Sequence, residues 1–308
     1  MASLELNIDA LKYPTTEEED KAAPVPGVPA GYSPFDWKVF VILGDFLQPD
    51  TKISTSQAVA EILAIFEDTA NLQAVNTVCF ELAEQIPYSH PAHGKLARLF
   101  YALGRSPERV SKSSLVAAGK LEAAVHMFYQ HLGENLADSW DYEPDDEAYA
   151  CPARYVNFQA FLASLYSTGI FAPGLVPVPA QRSLEGAFRS NGHKLDRSAA
   201  EAEEAEESDM TVVREAWVTG ASQWIIWYGQ ALFRDIVLSA ATRDQAAETS
   251  EQEQVVTAQH WHMWIEAFGR VATGTSLAGA DAECREMARR ASVLMAHLEG
   301  CMTGSGHQ

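Results

Sequence analysis

The chain has 308 residues, 47% of them hydrophobic, and a formal net charge of −20. That length allows one large domain or two small ones with a sizeable core. The acidic balance excludes a broad phosphate-binding or anionic-lipid-binding surface, so neither nucleic acid nor membrane is an expected partner.

Residues 1–34 read as a disordered tail. They hold Pro14, Pro24, Pro26 and Pro29 and the acidic run Glu17 to Asp20, with little hydrophobic periodicity. A helical domain is expected over 35–304. Val59, Ile62, Leu63 and Phe66 follow helical spacing, and Ser54 with Gln57 supplies a capping box before them. Leu72, Val75, Cys79, Leu82 and Ile86 make a second stripe, stopped by Pro87 and Pro91. Leu96, Leu99, Phe100 and Leu103 make a third, with Gly104 expected as its C-cap. Leu121, Val125, Phe128 and Leu132 make a fourth, ended at Gly133.

An acidic segment, Asp138 to Glu147, interrupts the pattern. Phe158, Phe161, Leu162, Leu165 and Tyr166 then predict a fifth helix, closed by Gly169 and a proline-rich stretch. A short helix is expected over Arg182 to Phe188. Residues 190–208 are low in complexity and rich in Ala and Glu. The long helix expected from Met210 to Ala241 carries Trp217, Ala221, Trp224, Tyr228 and Leu232 on one side. Ile225, Ile226, Trp227 and Phe233 widen that face until it nearly surrounds the helix, which places it at a centre. Ser250 and Glu253 read as a capping box for a helix with Trp261, Trp264, Ile265, Phe268 and Val271. A last helix follows Asp281 and carries Cys284, Met287, Ala291, Leu294 and Leu298. With no convincing alternating strand, the expected class is all-α: a single irregular multi-helix bundle of about nine or ten helices.

Catalytic signatures are sought and not found. No glycine-rich phosphate loop occurs. Gly274-Thr275-Ser276-Leu277-Ala278 resembles an esterase elbow, but it joins two helices where an elbow needs a strand before it. His297-Leu298-Glu299 matches half of a deaminase zinc motif and lacks the cysteine half. His260 and His262, two apart on a helix, point in nearly opposite directions and cannot share a metal. Asp145-Asp146-Glu147 begins like a terpene-synthase magnesium motif, but Tyr149 stands where the next acid belongs. No catalytic residue, metal or cofactor is assigned. The cysteines, Cys79, Cys151, Cys284 and Cys301, form no Cys-x-x-Cys pair and read as reduced thiols. No apolar run spans a bilayer, and Met1 to Glu5 do not open like a secretory leader, so cytoplasmic residence is expected.

The unusual local feature is aromatic. Trp217, Trp224, Trp227 and Tyr228 lie on one helix, and Trp264 lies one turn after His260 on another. Such stripes are ordinarily core. Their alternative use is to border an apolar cavity, where indole N–H and phenol O–H groups orient a ligand. These six residues are the candidate pocket, and His260 is the histidine considered for acid–base work, against a hydrogen-bonded core role. His262, one turn before Glu266, reads as a surface pair.

Four segments resemble a fungal family known only as a domain of unknown function, number 3632. They are Tyr155 through Ala163; Glu215-Ala216-Trp217 with Ala221 through Trp227; His260-Trp261-His262-Met263-Trp264 with Phe268; and Ala282 through Met295. Tyr155 stands where similar sequences often have tryptophan. The resemblance implies an all-helical, cytosolic fungal protein and no activity. Two functions follow as expectations. The first is a non-catalytic binding or accessory protein with a protein partner, beside a natural-product pathway. The second is a cofactor-free cyclase or isomerase acting on an apolar small molecule in the aromatic pocket.

Overall fold

A computed structural model describes residues 3–13, 25–65, 73–107, 109, 121–139, 151–171, 176–188, 207–243, 256–277 and 279–303. Among these residues the chain is all-α, with ten α-helices, one short 3-10 turn and no strand. The helices cluster into two compact units, Met1–Glu143 and Pro144–Gln308.

The first unit holds α1 (Pro34–Leu47), α2 (Thr55–Ile65), α3 (Gln73–Gln85), α4 (Ala92–Arg105) and α5 (Leu121–Ser139). Ser33 caps α1 by accepting the N–H of Phe35 at 3.3 Å, and Pro34 starts the helix where its missing N–H costs nothing. α1 packs on α2 and α3, α2 on α4, and both α3 and α4 on α5. The expected stripes supply the core: Ile62, Leu63, Val75, Cys79, Leu82, Ile86, Leu96, Leu99, Phe100 and Leu103 are all buried.

Three local expectations are corrected. Ser54 accepts the Gln57 N–H at 3.1 Å, but the Gln57 amide turns to Glu61, so half of that capping box forms. Gly104 is not a C-cap but lies within α4, where a Cβ would meet the Tyr129 ring at 2.6 Å. The Tyr129 hydroxyl donates to the Tyr101 carbonyl at 2.9 Å, which fixes that ring in place. α5 continues past Gly133, and among its described side chains Tyr129, Leu132 and Leu136 are buried. The box at Ser250 and Glu253, and Phe66 and Leu72, lie outside the described residues.

Within residues 1–34, the acidic run lies outside the described residues. Residues 3–13 and 25–33 make defined contacts. Ile8 is buried, Leu4 and Leu6 are half-buried, and Ser3, Glu5, Asn7 and Asp9 between them are exposed. The segment continues into the 3-10 turn Asp9–Leu11, and the Tyr13 N–H meets the Gly31 carbonyl at 2.9 Å.

The second unit holds α6 (Pro152–Ser167), α7 (Val178–Phe188), α8 (Glu207–Arg243), α9 (Ala258–Ala272) and α10 (Ala282–Thr303). α8 packs against each of the other four, α7 also touches α9, and α9 and α10 pair along their length. Every residue of α8 from Ala216 to Ile225 is buried, as an apolar arc that surrounds a helix requires. Asp281 starts α10 by accepting the Cys284 N–H at 2.6 Å.

Candidate functional site

The candidate aromatic residues depart from α8 in different directions. Trp217 leans on the Tyr155 ring of α6, with centroids 5.0 Å apart, and lies over Gly186 of α7, where a Cβ would come within 2.2 Å of its indole. Two turns on, Trp224 is wholly buried, and its Nε1–H donates to Gln159 Oε1 of α6 at 2.5 Å. Its ring meets Tyr166 edge-on at 5.5 Å. Tyr228 follows, 5.9 Å from Tyr166 and 6.2 Å from Trp224. The Tyr228 hydroxyl donates to Asp235 Oδ2 at 2.8 Å. Asp235 has no exposed surface, and its other oxygen accepts Nε and Nη2 of Arg234 at 3.2 and 3.0 Å.

The remaining candidates stand apart from that cluster. Trp227 is half exposed, and its Nε1–H reaches Gln223 Oε1 at 3.3 Å. On α9, Trp264 is buried and lies 6.2 Å from the His260 ring. His260 Nδ1 accepts the Thr257 N–H at 3.1 Å and lies 2.9 Å from the Thr257 hydroxyl. That bond is half of a capping box, so His260 helps to start α9. The six residues therefore fall into four places: Trp224 and Tyr228 around Tyr166, Trp217 on Tyr155, Trp264 beside His260, and Trp227 at the surface.

The polar partners of these rings escaped the sequence reading. Gln159 sits between Phe158 and Phe161, and Asp235 between Phe233 and Ile236. A polar residue inside an apolar run is the signal for Gln159, and the Arg234-Asp235 pair between Phe233 and Ile236 is the signal for Asp235. Gln159 Nε2 is buried and has no hydrogen-bond partner.

Protonation favours neutral groups here. Burial raises the Tyr166 hydroxyl to about 12. Burial, then the Asp235 carboxylate, raises the Tyr228 hydroxyl as well. Burial pushes the Cys284 thiol to about 11 and also pushes Cys79 up, so neither is a thiolate nucleophile near neutral pH. Cys301 is exposed, with its Sγ 3.5 Å from His297 Nε2. His262 lies 3.5 Å from Glu266 and 3.6 Å from Glu299. Among the described residues no group of three or more His, Cys, Asp or Glu side chains is placed to hold a metal ion. The Asp145-Asp146-Glu147 run lies outside them. Gly274 to Leu277 form a turn between α9 and α10, with Gly274 at φ 74°. No helix among the described residues is long and apolar enough to cross a membrane.

Fold and site define an all-α protein whose aromatic centre is threaded by one buried helix. The profile of a family described as protein of unknown function (DUF3632) matches residues 77–268, more than half of the chain, and the chain belongs to that family. The match takes in three of the four resembling segments; Ala282 through Met295 lies beyond it. Comparison with curated proteins and with solved structures returned no match.

Proposed function

We propose that this protein is a non-catalytic binding or accessory protein. One observation carries the reading: polar atoms of several aromatic and histidine side chains in the second unit are engaged within the chain. The Trp224 indole is held by Gln159, Tyr228 by Asp235, Trp261 by the Met295 carbonyl at 3.3 Å, and His260 by Thr257. Groups engaged this way hold helices in register. The charge of −20 fits a freely diffusing protein, and the described cysteines are all free, which fits a reducing cytoplasm. The family resemblance supports a place in fungal metabolism, beside natural-product enzymes.

The test is isolation of the full chain from its own cells under mild conditions, with quantitative mass spectrometry. A stoichiometric protein partner is expected. A purified chain that alone converts a small molecule overturns the reading.

A second reading rests on a different observation. Gln159 Nε2 is a fully buried donor with no acceptor, beside the Trp224 indole. A buried donor left alone costs about 1–3 kcal/mol. An apolar small molecule with one oxygen acceptor would fill that need, as a cofactor-free cyclase or isomerase substrate would. Turnover of apolar natural products that is lost in Gln159→Leu supports this reading, and full turnover in that variant removes it.

A further inference from the structure

The opening segment of the chain is held as a ligand is held. In an extended chain alternate side chains face one way, and here Leu4, Leu6 and Ile8 face the first unit. Its backbone is read by two glutamine amides. The Leu4 N–H donates to Gln48 Oε1 at 2.9 Å, and Gln48 Nε2 returns a bond to the Leu4 carbonyl at 3.1 Å. The Asn7 N–H donates to Gln85 Oε1 at 3.0 Å, and Gln85 Nε2 returns a bond to the Asn7 carbonyl at 2.8 Å. The Ser3 hydroxyl adds a bond to Gln48 Oε1 at 2.8 Å.

Both amides are preset. Gln48 Nε2 also donates to the Gly44 carbonyl at 3.0 Å, and Gln85 Nε2 to Glu81 Oε1 at 2.8 Å. Each glutamine is therefore fixed by its own helix, with one N–H and one oxygen left for a peptide unit. Lys95 anchors the end of α1 by donating to the Phe46 and Gln48 carbonyls at 3.3 and 2.7 Å. The spacing also fits. Gln48 ends α1 and Gln85 ends α3, two helices in contact, and packed helices lie about 8–10 Å apart. Three extended residues, from Leu4 to Asn7, span roughly 10 Å.

Backbone-directed pairs that tolerate any outward side chain, with inward apolar anchors at alternate positions, are how extended peptides are recognised. We propose that the groove at the ends of α1 and α3 is a docking site for an extended segment of a partner protein. The partner segment carries apolar residues at three alternate positions, and residues 3–9 are the built-in competitor. The inference rests on the binding-protein reading above and locates its partner. A second copy of this chain is a poor occupant. Each copy's segment is tied back to its own unit by the bond from Tyr13 to Gly31 and by Tyr32 on Asp9 at 2.5 Å. A tether of this kind gives an effective concentration on the order of a millimolar, which an identical segment from another copy cannot match. A different segment with a better fit displaces it.

The test uses full-length chains and a fluorescent peptide of residues 3–12 as probe, read by anisotropy. Ile8→Asp puts a charge at a buried anchor and frees the groove. Asn7→Pro, which removes the N–H read by Gln85, is a milder second opening. Either opened chain is expected to bind the peptide at least tenfold more tightly than wild type. Gln48→Ala with Gln85→Ala in that background is expected to weaken binding at least tenfold. The proposal is overturned if an opened chain with unchanged helical circular dichroism binds no better than wild type, or if binding ignores the glutamines. It is overturned too if both opened chains unfold, since the segment is then core. A concentration-dependent wild-type dimer dissolved by the peptide assigns the groove to a second copy and overturns the partner assignment. A chain that binds the peptide and also turns over a substrate overturns the binding-protein reading and not the groove. One that retains a partner but ignores the peptide does the reverse.

Discussion

The indole N–H of Trp224 donates to Gln159 Oε1 at 2.5 Å, and both side chains are wholly buried between α6 and α8. Removing the acceptor alone leaves a buried donor unpaired. Gln159→Leu therefore costs about 1–3 kcal/mol at the indole, offset in part because it also removes the unpaired Gln159 Nε2, so a smaller net loss of stability is expected. Trp224→Phe leaves the amide with neither bond and adds a packing loss. The double variant should be less destabilised than the sum of the two, because no orphaned partner remains. Urea unfolding of all four proteins measures the coupling, and strict additivity would show that the bond contributes nothing.

Gly186 sits where the Trp217 indole crosses α7. Its added Cβ would lie 2.2 Å from the ring, against a rigid and largely buried neighbour. Gly186→Ala is expected to cost about 1–3 kcal/mol by overpacking, although alanine favours helices elsewhere. Trp217→Leu in the same chain should recover part of that loss. A Gly186→Ala protein that melts at or above the wild-type temperature removes the argument.

The helical class and most core stripes were legible because apolar periodicity is local. Val75, Cys79, Leu82 and Ile86 needed only their own spacing to be read as one buried face. Gly104 was misread because its role depends on Tyr129, a residue of a different helix. His260 looked chemical because its neighbour Trp264 drew attention, while its actual partner, Thr257, is the helix cap three residues before it. The alternation of Leu4, Leu6 and Ile8 is a strand-like signal, and it was passed over. Its hydrogen-bond partners are glutamines 44 and 78 residues away and not another strand. Ser54 followed by Gln57 promised two cap bonds, and a competing Glu61 took one of them.

Tyr166 and Tyr228 should stand out in an alkaline titration. Their hydroxyls are raised above the ordinary value of 10, to about 12 for Tyr166. Native protein then holds protons that unfolded chain has released. Stability contributed by these groups is complete below pH 10 and falls as pH rises above it. Phenolate absorbance at 295 nm is expected to show both tyrosines silent up to about pH 11 and ionising as helicity is lost. Tyr228→Phe should remove one late-titrating group and leave Asp235 to Arg234 alone. Early, independent ionisation of all tyrosines would contradict the burial argument.

His93 gives the opposite, acid-side dependence. Its Nε2–H donates to the Ile86 carbonyl at 3.0 Å, and Nδ1 is buried without a partner. Burial holds this imidazole down at about 4, outweighing the carbonyl bond that favours the charged form. The unfolded chain, with a value of 6.5, takes up a proton that the native chain refuses. The unfolded state thus binds more protons between those values, so native stability rises with pH across that window. It is complete above pH 6.5 and is lost progressively toward pH 4, by about 3 kcal/mol for this one group. His93→Gln keeps an N–H donor for Ile86 and cannot titrate. Urea unfolding between pH 7 and pH 4.5 should show a markedly flatter profile for this variant than for wild type. Parallel profiles for the two would mean that His93 reaches solvent and takes up its proton without unfolding the helices around it.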